Sequence, residues 1–171
     1  MSEIIVKEDA LIATKTDLEG LVTYASEDFL TYSEMQMGDV LFKPHNIVRH
    51  PDMPHSTFKM MWDYLKQGRE YFAFVKNRTK NDNFYWCFVN VTPSFSADGE
   101  TLGYYAVRRA PNREILPRVE ELYKKIRTIE EKTGGNKGME AGVHFLEGLA
   151  KEQNISFNNY IFNLQFGKDA K

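Results

Sequence analysis

Two short runs of apolar and β-branched residues, Leu11 to Thr16 and Leu21 to Tyr24, flank the turn-forming DLEG with its Gly20. Together they predict a β-hairpin. Ser26 stands before EDFLTY, with Glu27 and Asp28 in the first turn, which is the pattern of an N-capped short helix. From Gly38 to His50 the periodicity breaks up around Pro44 and Pro51, so short helical or irregular pieces are expected. After Pro54, Phe58, Met61, Trp62 and Leu65 fall at i, i+3, i+4 and i+7, one apolar face of a helix that Gly68 stops.

The period then shortens. REYFAFVKNRTKNDNFYWCFVNVTPSF holds two long aromatic and β-branched runs around the turn cluster TKNDN, which reads as a second hairpin. After SADGE, TLGYYAVRRA supplies a last strand over 101–110. Strands on either side of a block of helices give an α+β domain, a five-stranded antiparallel sheet with short helices on one face.

Pro117 opens a further helix, with Glu120 and Glu121 early and Lys124, Lys125 and Arg127 late. Val119, Leu122, Ile126 and Ile129 form a short heptad-like seam, suited to docking on the sheet or on a partner helix. GGNKG, 134–138, reads as a linker, and the following MEAGVHFLEGLAKEQ as a weak helix interrupted by Gly142 and Gly148. ISFNNYIFNLQF fits a helix through Phe157, Tyr160, Ile161 and Leu164, or a strand through Phe162, Leu164 and Phe166. The expected organisation is a sensor domain over 1–110, a linker and output helix over 111–133, and a C-terminal helical extension over 134–171.

Charge and composition narrow the chemistry. A formal charge of -2 provides no basic field for general binding to nucleic acid or an anionic membrane. The single cysteine, Cys87, rules out an internal disulfide framework or a Cys-rich zinc site. MSEIIVKEDALIATKTD contains charges and no long apolar run, so neither a signal peptide nor a membrane anchor is expected and the reading is cytoplasmic. Aromatic residues make up 13% of the chain, enough to fill a core and also wall a flat ligand. No phosphate-binding glycine loop, nucleophile elbow or paired-acid motif is present, and no enzymatic activity is expected.

The densest polar cluster lies in HNIVRHPDMP, where Arg49, His50 and Asp52 sit on broken backbone on which side chains and free amides can converge on a ligand. This run, followed by MWDYLKQG, VKNRTKN, FYW and VNVTP in the same order and spacing, resembles the PAS domain of aerotaxis and energy-taxis receptors over roughly residues 11–123. The resemblance implies a PAS fold, non-covalent binding of FAD and reporting of redox state to chemotaxis signalling. It also implies that Arg49, His50 and Asp52 form the polar rim of the flavin site, that Asn77 belongs to it, and that Trp62, Tyr85 and Trp86 contribute to its wall. Tyr85 and Trp86 alternate along one strand, so at most one of them can face the pocket.

Each of these residues has a structural alternative. Asp52 can serve the start of the helix after Pro54 or pair with Arg49, His50 can be a satisfied polar residue, and Trp62 can be core. Three departures from the family pattern alter pocket details: Ser26 at the first cap where Asn is frequent, SEM at 33–35 in place of SGY, and Tyr71 in place of a Trp. Light-driven covalent flavin chemistry would need a cysteine in a short NCRFL-like helix, whereas Cys87 lies in a strand pattern. Haem would need an axial ligand, for which His45, His50 or His55 could serve.

Receptors of this family continue into a membrane anchor and a methyl-accepting coiled coil, and neither pattern occurs in these 171 residues. The expected arrangement is therefore the stand-alone PAS half of a bipartite energy-taxis system, whose partner is a membrane-bound receptor of the methyl-accepting type. The alternative functions are a PAS interaction module without flavin, serving as a homodimerisation or scaffold domain, and a haem-binding PAS sensor of gas or redox state.

Overall fold

The computed structural model describes residues 1–167. Strands β1 (Ile12–Thr16), β2 (Val22–Ala25), β3 (Tyr71–Arg78), β4 (Phe84–Phe95) and β5 (Thr101–Arg109) form one sheet in the order β2-β1-β5-β4-β3. Every neighbouring pair is antiparallel. β1 pairs with β5 and carries β2 outside it, so the first and last strands of the chain meet in the middle of the sheet, with β2 at one edge and β3 at the other.

Helices α1 (Glu27–Ser33), α2 (Met37–Val40) and α3 (His55–Lys66), with a 3-10 turn at His45–Val48, connect β2 to β3. Ser26 caps α1 by accepting the Phe29 N–H, as its sequence context predicts. These elements cover the inner face of the sheet. α4 (Leu116–Thr133) and α6 (Phe157–Phe166) cover the outer face, and α5 (Gly135–Lys151) packs on both α4 and the back of α3.

The strand period sorts the core into two clusters. Ile12, Phe29, Tyr32, Val40, Val48, Tyr85 and Cys87 form one beneath α1 and α2. Phe74, Trp86, Phe88, Val119, Tyr123 and Ile126 belong to the other, which extends through Met60 and Tyr64 of α3 to Leu146 and Tyr160. Tyr123 anchors α4 by donating its hydroxyl to the Phe74 carbonyl at 2.6 Å, and its ring lies 6.2 Å from that of Trp86. The seam expected on this helix is thus turned largely inward, with Val119 and Ile126 buried on the chain's own core and Leu122 packed against it.

The stretch 134–138 is not a linker: α5 starts at Gly135, directly after α4. Two of its glycines are contact points rather than breaks, because a Cβ on Gly138 would overlap the Glu130 carbonyl and one on Gly142 would overlap Ser56 Oγ, whereas Gly148 faces open space. The ambiguous ISFNNYIFNLQF is helical, with Phe157, Tyr160 and Ile161 buried and Ser156 capping through the Asn159 N–H.

Candidate functional site

Between α3 and the inner face of the sheet lies a cavity of about 290 Å³. One wall is the helix face read from the sequence, Phe58, Met61, Trp62 and Leu65, and the floor is Val75, Val89, Val91 and Ala106. Trp62 meets Tyr104 edge to face at 5.2 Å and closes one end. Met60 and Tyr64, on the other side of the same helix, are buried under α5. α3 is therefore sandwiched, with its less buried face left toward the cavity.

Polar groups enter this apolar space from three elements. Arg49 follows the 3-10 turn in extended conformation and bridges to Asn77 on β3, which brings both side chains to the cavity. The Arg49 guanidinium lies 3.8 Å above the Phe58 ring, and its buried Nε has no hydrogen-bond partner. Burial lowers its pKa from the ordinary arginine value. The Asn77 amide reaches only the Cys87 sulfur, at 3.7 Å.

Arg108 on β5 is 4% exposed and donates to Thr14 Oγ1 at 3.1 Å and to His45 Nε2 at 2.8 Å. His45 must be neutral to accept this bond, and burial, reinforced by the Arg108 charge, pushes its pKa down to about 3. Among the described residues, neither Arg49 nor Arg108 forms an ion pair. Glu19 also lines the cavity but pairs with neither; two guanidiniums held in a largely apolar cavity without a bonded carboxylate suit an anionic or carbonyl-rich ligand.

Of the residues expected at the site, Arg49, Trp62 and Asn77 line the cavity. His50 and Asp52 do not. His50 is buried in the core, where its Nδ1 accepts the Asp52 N–H at 3.0 Å and its ring meets Phe84 edge to face. Asp52 points toward α4, pairing with Lys76 at 2.8 Å and Arg127 at 3.2 Å. The three-residue rim separates because the extended backbone at Arg49 turns His50 to the opposite side, and the turn closed by the Met53 N–H on the His50 carbonyl then carries Asp52 toward α4.

Trp86 is on the outer face under Tyr123, opposite the cavity. Tyr85 is on the inner face, but it packs 6.0 Å from Tyr32 in the neighbouring cluster and is absent from the cavity lining. The lining residues that sequence reasoning leaves out include Arg108, Thr14 and Tyr104, and it treats His45 only as a haem ligand.

A five-stranded antiparallel sheet cupping a largely apolar, cationic cavity beneath α3 defines an α+β domain of the sensor type. The profile of the PAS fold matches residues 22–108, and the chain belongs to the PAS fold family. It is 38% identical over 117 residues to the aerotaxis receptor of Escherichia coli, a span covering 68% of this chain and 23% of the receptor. It is 21% identical over 105 residues to the nitrogen fixation regulatory protein of Klebsiella pneumoniae, covering 61% of this chain and 21% of that protein. The chain thus spans about a quarter or less of the length of these relatives.

Among solved structures it resembles the light state of the aureochrome1 light-oxygen-voltage domain, with a TM-score of 0.56 and 15% identity over 71% of this chain and 93% of that one. A light-oxygen-voltage domain studied with a flavin analogue aligns with a TM-score of 0.55 and 16% identity, over 72% of this chain and 87% of that one. At these identities the likeness concerns the fold. Among the described residues no helix is long and apolar enough to cross a membrane.

Proposed function

We propose that the cavity holds the flavin ring of FAD non-covalently and that the protein is a redox sensor for energy taxis rather than an enzyme. On this reading it acts in the cytoplasm through a separate membrane-bound receptor of the methyl-accepting type. The observation that carries the reading is the pair of guanidiniums, Arg49 and Arg108, facing an apolar slot without a carboxylate partner. The 38% identity to an aerotaxis receptor supports it.

The residues present fit such a group. The cavity volume is at the lower end of the range for small-molecule sites, about right for a planar ring system. Trp62, Met61, Phe58 and the valines of β3 and β4 supply the apolar contact, and the orphaned Arg49 Nε, the Asn77 amide and Arg108 supply donors. A bound flavin supplies a reversible electron couple in which ring charge and protonation follow redox state. The chain's own part is to exclude water with Trp62 and Tyr104 and to hold Arg108 charged and oriented through Thr14 and neutral His45.

A thiol adduct has no support from Cys87. Its sulfur is buried, bonds to the Val75 carbonyl at 3.6 Å, and has its pKa pushed up to about 12 by burial. Haem ligation by His45 would require breaking its bond from Arg108.

Spectroscopy of the purified protein tests the proposal. The expected result is flavin absorption near about 450 nm, with released cofactor that chromatographs as FAD and reversible bleaching on reduction. Protein that stays colourless after reconstitution with excess FAD would leave the interaction-module reading, and a Soret band would establish haem.

A further inference from the structure

Helix α3 begins without a cap of its own. Pro54 occupies the N-cap position and provides no side-chain acceptor, although the leading N–H groups of a helix have no intrahelical partners. The missing acceptor comes from α4. Glu130 takes the Ser56 N–H at 2.7 Å and the His55 N–H at 3.2 Å, and it also accepts the hydroxyl of the fully buried Ser56.

Arg127, one turn earlier on α4, reaches Asp52 at 3.2 Å. Gly142 of α5 closes over the same point, since a Cβ there would overlap Ser56 Oγ. The C-terminal helices therefore grip residues 52–56. This short segment joins Arg49, whose guanidinium is in the cavity, to the helix that presents Phe58, Met61 and Trp62 to it.

We propose that Glu130 is a positioning residue for the cavity, a cap supplied in trans that fixes the α3 wall and couples α4 to whatever the cavity holds. The placement of the grip supports more than general stability. It engages the end of α3 next to Arg49, and it uses Glu130, four positions and about one turn beyond Ile126, itself fully buried. Coupling of this kind is reciprocal. If release of Glu130 weakens a ligand, that ligand strengthens the Glu130 contact by the same factor. The inference rests on the flavin proposal only for the ligand's identity.

The test uses the full chain carrying Trp86→Phe, so that Trp62 is the only tryptophan. Without added ligand, Glu130→Ala should speed amide exchange at residues 55–57 about fivefold or more and expose Trp62 to acrylamide quenching, while Glu130→Gln, which keeps one acceptor oxygen, restores part of both. With FAD, the Ala variant should bind about fivefold or more weaker, and the ligand-dependent protection of α4 amides should disappear.

A variant with a lowered melting temperature but unchanged Trp62 quenching, FAD affinity and α4 protection would reduce Glu130 to a structural cap and overturn the proposal. Should neither parent nor variant bind FAD, the flavin reading fails, and the Trp62 and exchange measurements on the ligand-free protein still decide the positioning role. Amide exchange repeated with Trp86 intact guards against a folding defect from the reporter background.

Discussion

The two faces of one sheet are finished differently. On the outer face, side chains meet complementary partners: Phe72 stacks on Phe88 at 5.7 Å, Phe162 and Phe166 cover them, and the Tyr123 hydroxyl has its carbonyl. On the inner face, Val89, Val91 and Ala106 line open space, and two arginines hold charge there without forming an ion pair among the described residues. Filling apolar volume and pairing charge both favour folding, so a region that does neither has been shaped by another requirement. The comparison separates the part of the domain that supports from the part that, on the proposed function, receives a ligand.

Truncation should break this symmetry most visibly. Ile126→Ala removes a fully buried side chain beneath α4 and should cost about 2 to 5 kcal/mol of unfolding free energy. Met61→Ala faces the cavity from a half-buried position and should fall at or below the bottom of that range, because the space beside it is already open. Chemical denaturation of both variants checks the ordering. Equal costs would mean that the cavity wall is packed as tightly as the outer core.

The cationic half of the comparison is sharpened by Arg49. Its Nε lacks a partner and its guanidinium rests on Phe58 rather than on a carboxylate. Arg49→Ala should therefore weaken FAD binding by about 1.5 to 3 kcal/mol, the range for a charge-assisted contact, while the protein remains folded. Fluorescence titration with a parallel melt measures both quantities. Unchanged affinity in a folded variant would remove Arg49 from the site.

How much of this was legible before the structure depends on how far apart the cooperating residues lie. The α3 face was readable because its four residues sit within eight positions and share the helical period. Arg49 and Asn77 were readable through the motifs that carry the family resemblance. His50 and Asp52 misled because adjacency in sequence suggests a shared site, whereas the extended backbone at Arg49 sends His50 to the other side and the following turn carries Asp52 to α4.

Trp86 failed on strand parity, which could be stated in advance only as a choice between it and Tyr85. Arg108 and His45 are 63 positions apart and meet only because β5 pairs with β1 beside the 3-10 turn. Nothing local to either residue announces that meeting. The glycines of α5 lowered the apparent helix propensity, and only the closeness of Glu130 and Ser56 explains why larger residues would not fit at Gly138 and Gly142.

The smallest expected effect separates the faces by pH. His45 has its pKa lowered to about 3 in the folded protein, by burial and then by Arg108, against an ordinary 6.5. Between these values the unfolded chain binds more protons at this position than the folded one, so stability is fully present above pH 6.5 and is lost as pH falls toward 3. From pH 7.5 to 5 the loss through His45 should be about 2 kcal/mol.

His50, in the outer cluster, is also lowered, first by burial and then by Lys76, so the parent protein contains both contributions. His45→Asn keeps an acceptor for Arg108 and cannot be protonated in this range, leaving the contribution of His50 and the carboxylates in place. Urea unfolding at the two pH values should show a loss smaller by about 2 kcal/mol in the variant than in the parent. Identical losses would mean that acid enters through the outer cluster, and that His45 does not hold its neutral form to keep Arg108 in place.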